Sequence, residues 1–141
     1  MYILDTNILS ELRKVRNGAA NENVRIWADS VDAADLFVSA ITIMELEIGI
    51  CLKERKDAEQ GAMLRYWLEQ HVLPEFSGRI LPIDTPIARR CARLHVPDPC
   101  SERDALIAAT AIVHGMMVVT RNAADFAPIG ANVINPWDWP Q

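Results

Sequence analysis

MYILDTNILSEL, residues 1–12, sets the frame for the chain. An apolar run, Tyr2 to Leu4, ends on Asp5, and from Ile8 to Arg13 the apolar residues take helical spacing. A strand that ends on a carboxylate and turns into a helix is the opening unit of an α/β domain. In such domains ligands gather outside the carboxyl ends of the strands.

The same alternation continues outward from this unit. Leu36 to Ser39, Ile80 to Ile83 and Met117 to Thr120 read as further strands, with Val133 and Ile134 as a short edge. Between them helical patterns fall at Val24 to Val31, Ile41 to Leu52, Ala58 to Val72, Pro86 to His95 and Glu102 to His114. Thr85 before Pro86 reads as a helix N-cap, and Gly115 stands where a left-handed C-terminal cap belongs. The charged stretch Lys53 to Asp57 reads as a solvated helix end or a turn between two helices. Strands alternating with helices predict an α/β fold: one domain over residues 1–141, with a largely parallel central sheet flanked by helices.

Composition narrows the class. Half of the residues are hydrophobic and 23% are charged, as in an ordinary globular domain. Fourteen Lys and Arg against nineteen Asp and Glu leave a net charge of −5, so a polyanion would have to meet a local patch rather than the whole surface. Cys51, Cys91 and Cys100 form no C-x-x-C pair and are odd in number, which supports neither a disulfide framework nor a zinc knuckle and suits a reducing cytoplasm. Asp5 interrupts the apolar start, against a signal peptide. Ala105 to Val119 carries Thr110, His114 and Gly115 and falls short of the ~20 residues of a bilayer span, so no membrane association is expected.

The candidate chemistry lies in acids that follow strands or open helices. Asp5, Thr6 and Asn7 follow the first strand; Thr120, Arg121 and Asn122, with Asp125, follow the fourth; Glu45 lies a few residues beyond the second; Asp104 opens the most apolar helix. Each has a structural alternative. Thr42 with Glu45 and Ser101 with Asp104 have capping-box spacing, Asn7 has the chemistry of an N-cap, and Asp125 that of a turn residue. The helix after Asp104 is apolar almost all round and rich in alanine, which predicts close burial against the sheet and carries Asp104 toward the strand ends. Carboxylates gathered in one pocket repel each other unless one is protonated or a cation is present. Magnesium suits such a site, being held by one or two carboxylates plus waters and substrate phosphate. His71, His95 and His114 are scattered and read as packing or surface residues, against zinc. Bound Mg²⁺ activates water against a phosphodiester, which is the chemistry of a hydrolytic nuclease.

The segments YILDTNILSEL, VSAITIMELEIGI, RDALIAATAIVHGMMVVTRNAADF and VINPW, in this order, resemble the PIN-domain ribonucleases, and within them the VapC-type toxins of the FitB-like branch. The resemblance implies a Mg²⁺-dependent endoribonuclease, with Mn²⁺ as a possible substitute, acting on RNA. It also implies a small antitoxin partner and a homodimer. Carried over by position, Asp5 and Asp104 would be the metal ligands, Glu45 would complete the acidic triad, and Thr6 and Thr120 would be supporting polar groups. Many family members have an aspartate where this chain has Asn122, so the fourth site residue is either Asp125 or Asn122. The motif favours Glu45 over Glu47, which periodicity does not.

Arg13, Lys14, Arg16 and Arg121 are candidates for phosphate contact, with a solvated surface as the alternative. Arg89, Arg90 and Arg93 form another basic group. Trp137 and Trp139, between Pro136 and Pro140, are expected to pin the chain end rather than stack on bases. A phosphoryl-accepting receiver would want an early pair of acids and a strand-end lysine, and a haloacid-dehalogenase-like phosphatase would want an acid at Asn7; the chain has neither. The remaining alternative is a catalytically silent PIN-like module that binds protein or RNA.

Overall fold

The computed structural model describes residues 1–140. Five parallel strands, β1 (Tyr2–Leu4), β2 (Leu36–Ser39), β3 (Ile80–Leu81), β4 (Met117–Val119) and β5 (Val133–Ile134), lie in the order β3-β2-β1-β4-β5. Ile3 pairs with Phe37 on one side and Val118 on the other, and Leu4 with Val119. This register brings Asp5, Ser39 and Thr120 off neighbouring strand ends at one level.

Helices cover both faces, so the strands read as unbroken apolar runs rather than alternating ones. On one face Leu4, Leu36, Val38 and Val119 pack with Ile8 and Leu9 of α1 (Thr6–Leu12), Trp27 of α2 (Glu22–Ser30) and Leu46 and Ile50 of α3 (Ala40–Lys56). Leu64 and Trp67 of α4 (Ala58–Trp67) pack against the same cluster. On the other face Ile3 and Val118 meet Ile107, Ala108 and Ala111 of α7 (Glu102–His114). The outer flank of α7, Ala105 and Ala109, is covered by Ile87 and Cys91 of α6 (Thr85–Leu94). Contact on two sides is why α7 has almost no polar face. Each fully buried aliphatic side chain in these layers contributes about 1.5–3 kcal/mol.

The charged stretch at 53–57 is the end of α3, and Asp57 both closes that helix and caps α4 by accepting from Gln60 N. Gly115 closes α7 at φ 67°. Trp137 and Trp139 pack against the core, as expected of a pinned chain end. All three cysteines are free, and among the described residues no helix is long and apolar enough to cross a membrane.

Several boundaries differ from the sequence reading. β3 stops at Leu81 instead of Ile83, because Pro82 has no N–H to extend the ladder. The cap of α6 is Asp84, whose Oδ1 accepts from Ile87 N, and Thr85 is already helical. The helix expected over 58–72 ends as α4 at Trp67, widens into a π-helical turn over Leu68–Val72 and resumes as α5 (Leu73–Glu75). Pro74 offers no donor to Gln70 and its ring crowds that carbonyl, which opens the turn. The short α8 (Ala123–Phe126) has no apolar periodicity to announce it.

Candidate metal and RNA site

Asp5 is the pivot. It lies at the C-terminal end of β1, buried to 6% exposure, and its Oδ1 caps α1 by accepting from Thr6 N at 2.8 Å. Its Oδ2 accepts from Thr120 Oγ1 at 2.8 Å and from Asn7 Nδ2 at 3.2 Å. An ionised carboxylate offers about four acceptor positions. Three are used by the protein, which fixes the group's orientation and leaves about one free for a ligand.

Asn7 is the residue that sequence reasoning undervalued. It does not cap α1, since Asp5 does; it bridges two strand ends instead. Besides Asp5, its amide donates to Thr120 Oγ1 at 3.3 Å, and its Oδ1 accepts from Arg121 N at 3.1 Å. Its place between Asp5 and the helix was the available signal. Thr120, fully buried, gathers the same bonds from the β4 side, donating to Asp5 and accepting from Asn122 N at 3.0 Å.

Glu45 faces this group. Thr6 Oγ1 donates to Glu45 Oε1 at 2.9 Å, which links α1 to α3 across the pocket. Arg103, also unannounced by the sequence except by its position beside Asp104, places Nη1 3.8 Å from Glu45 Oε2. Glu47 is turned away, paired with Arg65 at 2.6 Å. The capping-box reading of Thr42 and Glu45 fails: the cap of α3 is Ser39, whose hydroxyl accepts from Ile41 N. Thr42 therefore lies inside the first turn, and its buried hydroxyl makes no hydrogen bond among the described residues. Ser101 is the N-cap of α7 by position but makes no side-chain capping bond to the helix.

Asp104, half-buried at the start of α7, is held above the usual carboxylate range. Burial is the largest cause, followed by the charges of Asp5, Asp125 and Glu45, with Ser101 acting the other way. The four acids therefore share one electrostatic pocket although they come from β1, α3, α7 and α8. Asn122 enters through its backbone, while Asp125 enters through its charge. Among the described residues, no three His, Cys, Asp or Glu side chains close into a ready-made metal cage.

The basic candidates separate. Arg13 lies over the Trp67 ring, 5.9 Å from its centroid, in a groove of about 610 Å³ whose lining includes Thr6, Glu45 and Lys53. Arg121 leaves the end of β4 beside Asn7 and stacks on Trp137 at 5.1 Å. Lys14 pairs with Glu11 and Arg16 faces the His71 ring, so both have partners away from the acids. His95 contacts Cys91 and Cys100, and His114 is exposed.

A parallel sheet in the order 3-2-1-4-5, with acids collected beyond its carboxyl edge, defines a PIN-type α/β domain. The PIN-domain family model matches residues 2–131. Toxin FitB of Neisseria gonorrhoeae is 38% identical over 97% of this chain and 99% of its own length, and VapC ribonuclease Y4jK of Sinorhizobium fredii is 37% identical over 98% and 99%. The crystal structure of FitAcB from Neisseria gonorrhoeae superposes with a TM-score of 0.87 at 37% identity, covering 98% of this chain and 99% of that one. The chain belongs to the PIN-domain family.

Proposed function

We propose that the chain is a Mg²⁺-dependent endoribonuclease that hydrolyses RNA phosphodiester bonds, with Mn²⁺ able to substitute, and that it acts as the toxin of a toxin-antitoxin pair. The observation that carries the chemistry is the buried Asp5 carboxylate at the end of β1, linked through Thr6 to Glu45, with Asp104 near enough to feel the charges of Asp5, Glu45 and Asp125. The donor set fits a hard cation: Asp5, Glu45, Asp104 and Asp125 offer oxygen alone, and magnesium takes one or two carboxylates and keeps its waters. Asp5, through its free acceptor position, and Asp104 would hold the ion. Bound there, it would supply Lewis acidity and a water of lowered pKa.

The protein's own residues do the rest. Thr6, Asn7 and Thr120 hold the Asp5 and Glu45 carboxylates in place. Arg103 offsets the charge of Glu45, Asp125 keeps the pocket negative, and Arg13 meets phosphate in the groove. The toxin role draws on the name of FitB, and the ribonuclease activity on that of Y4jK. The antitoxin and a second copy of the chain are the proposed partners. Exposed Met44, Ile48 and Leu52 along α3, with Met63 and Tyr66 on α4, offer apolar surface for them. An RNA substrate and three free thiols suit the cytoplasm.

Asp5→Asn is the decisive variant, because Asn has the same size and keeps an oxygen to cap α1, while the charge and the second oxygen, which accepts from Thr120 and Asn7, are lost. Antitoxin-free protein is expected to cleave an RNA pool with Mg²⁺ and to stop on chelation. The variant should lose about 10²-fold or more in rate, and with it any growth arrest on expression. Undiminished cleavage in Asp5→Asn or in excess chelator refutes the mechanism. An RNA pool left intact by the wild type favours the silent binding module instead.

A further inference from the structure

α6 is strongly two-sided. Ile87, Cys91 and Leu94 face α7, while Arg89, Arg90 and Arg93 stand in solvent with no acid on the same face. A solvated helix in a chain of net charge −5 would ordinarily mix the signs, as α2 does with Glu22, Arg25 and Asp29. Arg25, Arg65, Arg79 and Arg103 each have a carboxylate partner; among the described residues, Arg89, Arg90 and Arg93 have none. The three guanidinium groups also share a shape: with Thr85, Pro86 and Val113 they line a concavity of about 320 Å³. Three like charges held together without counter-charge repel one another, a cost that binding of a polyanion removes.

Position relates this patch to the acidic pocket. α7 runs back along α6, so that Ala105 and Ala109 pack on Ile87 and Cys91 while Val113 reaches the Thr85 end. The nine steps from Asp104 to Val113 advance about 13 Å along the helix. In a stacked strand, at ~3.4 Å per nucleotide, that is a distance of about four nucleotides.

We propose that Arg89, Arg90 and Arg93 form an RNA-backbone clamp that holds the substrate a few nucleotides from the bond cut at the acidic pocket, with Val113 as an apolar wall for a ribose or base. This deepens the nuclease reading and rests on it for the identity of the polyanion. Phosphate contacts of this kind set register and affinity and carry no base specificity.

The test is fluorescence-anisotropy binding of a labelled stem-loop RNA, and of a short oligonucleotide that spans only the acidic pocket, with Ca²⁺ in place of Mg²⁺ to screen the carboxylates and with both RNAs checked to be intact after the measurement. Each Arg→Gln change is expected to reduce the slope of log K against log salt by about 0.7–0.9. The triple Gln variant should bind the stem-loop at least about tenfold more weakly and the short oligonucleotide as before. The triple Lys variant, which keeps the charge, should retain the slope. An unchanged slope in the triple Gln variant, equal losses for both RNAs, or no stem-loop binding by the wild type each overturns the clamp. Intact binding with no cleavage in Mg²⁺ counts against the nuclease reading and leaves the clamp standing.

Discussion

At the scale of single residues, the site is built from short polar side chains that hold one another. Asp5 accepts from the Thr6 backbone, from Thr120 and from Asn7, and these bonds tie the ends of β1 and β4 together. Removing the Asn7 donor leaves the carboxylate in place, held by Thr6 and Thr120 but less firmly oriented. Asn7→Ala is therefore expected to fold normally and to lose about 10–100-fold in activity or in Mg²⁺ affinity, the usual cost of removing a group that orients a ligand. Full activity and unchanged Mg²⁺ dependence in that variant would show that the Asn7 bridge is only a strand clasp. Asn7 was legible as a polar residue at a strand end; its role as a bridge was not, because its partners Thr120 and Arg121 lie more than a hundred residues away.

At the scale of elements, α3 and α4 show how packing chooses among residues that look equivalent. Glu45 and Glu47 are two positions apart and so about 200° apart around α3, which sends one to the Asp5 pocket and the other to Arg65. A helix apolar on most sides gives no periodic reason to prefer either. The two glycines of this hairpin separate in the same way. A Cβ on Gly61 would sit 2.6 Å from the Cα of Glu54 and 2.8 Å from its N, whereas one on Gly49 would meet nothing within 4 Å. Gly61→Ala is expected to lose about 1–3 kcal/mol despite the better helix propensity of alanine. Gly49→Ala should gain up to about 1 kcal/mol. Chemical denaturation of both variants checks the opposite signs, and a stable Gly61→Ala protein would mean that the α3–α4 crossing is not tightly seated.

At the scale of the whole molecule, the pocket's charge is a product of the fold, since Asp5, Glu45, Asp104 and Asp125 sit on four different elements. Asp104 titrates above its ordinary value of 3.8. Between that value and the raised one the folded state binds more protons than the unfolded state, so its contribution to stability falls as pH rises through the window and stays low above it. Asp104→Asn is thus expected to stabilise the cation-free protein at neutral pH, with the difference from the wild type closing in acid. Urea denaturation in chelator at several pH values measures that difference, and a variant less stable than the wild type at neutral pH contradicts it. The same fold confines the positive charge of α6 to one face of an acidic protein.

The strand, helix and cap pattern was written locally, in runs of apolar residues and in signals such as Asp57 and Gly115, so the α/β class and the parallel sheet followed from the amino-acid sequence alone. The positions of Asp5, Glu45, Asp104 and Asp125 at strand ends or near the starts of helices were also legible, because strand ends and helix starts are local features. Tertiary structure alone decided what those features became. It gave the α1 cap to Asp5 rather than Asn7, turned Glu45 inward and Glu47 outward, and placed Arg103 against Glu45. It brought the charge of Asp125 within reach of Asp104 and tied the Asn122 backbone to Thr120. Each of these depends on which distant element supplies the partner atom, and a side chain's partner across the fold is set by strand register and helix packing, which local sequence does not encode.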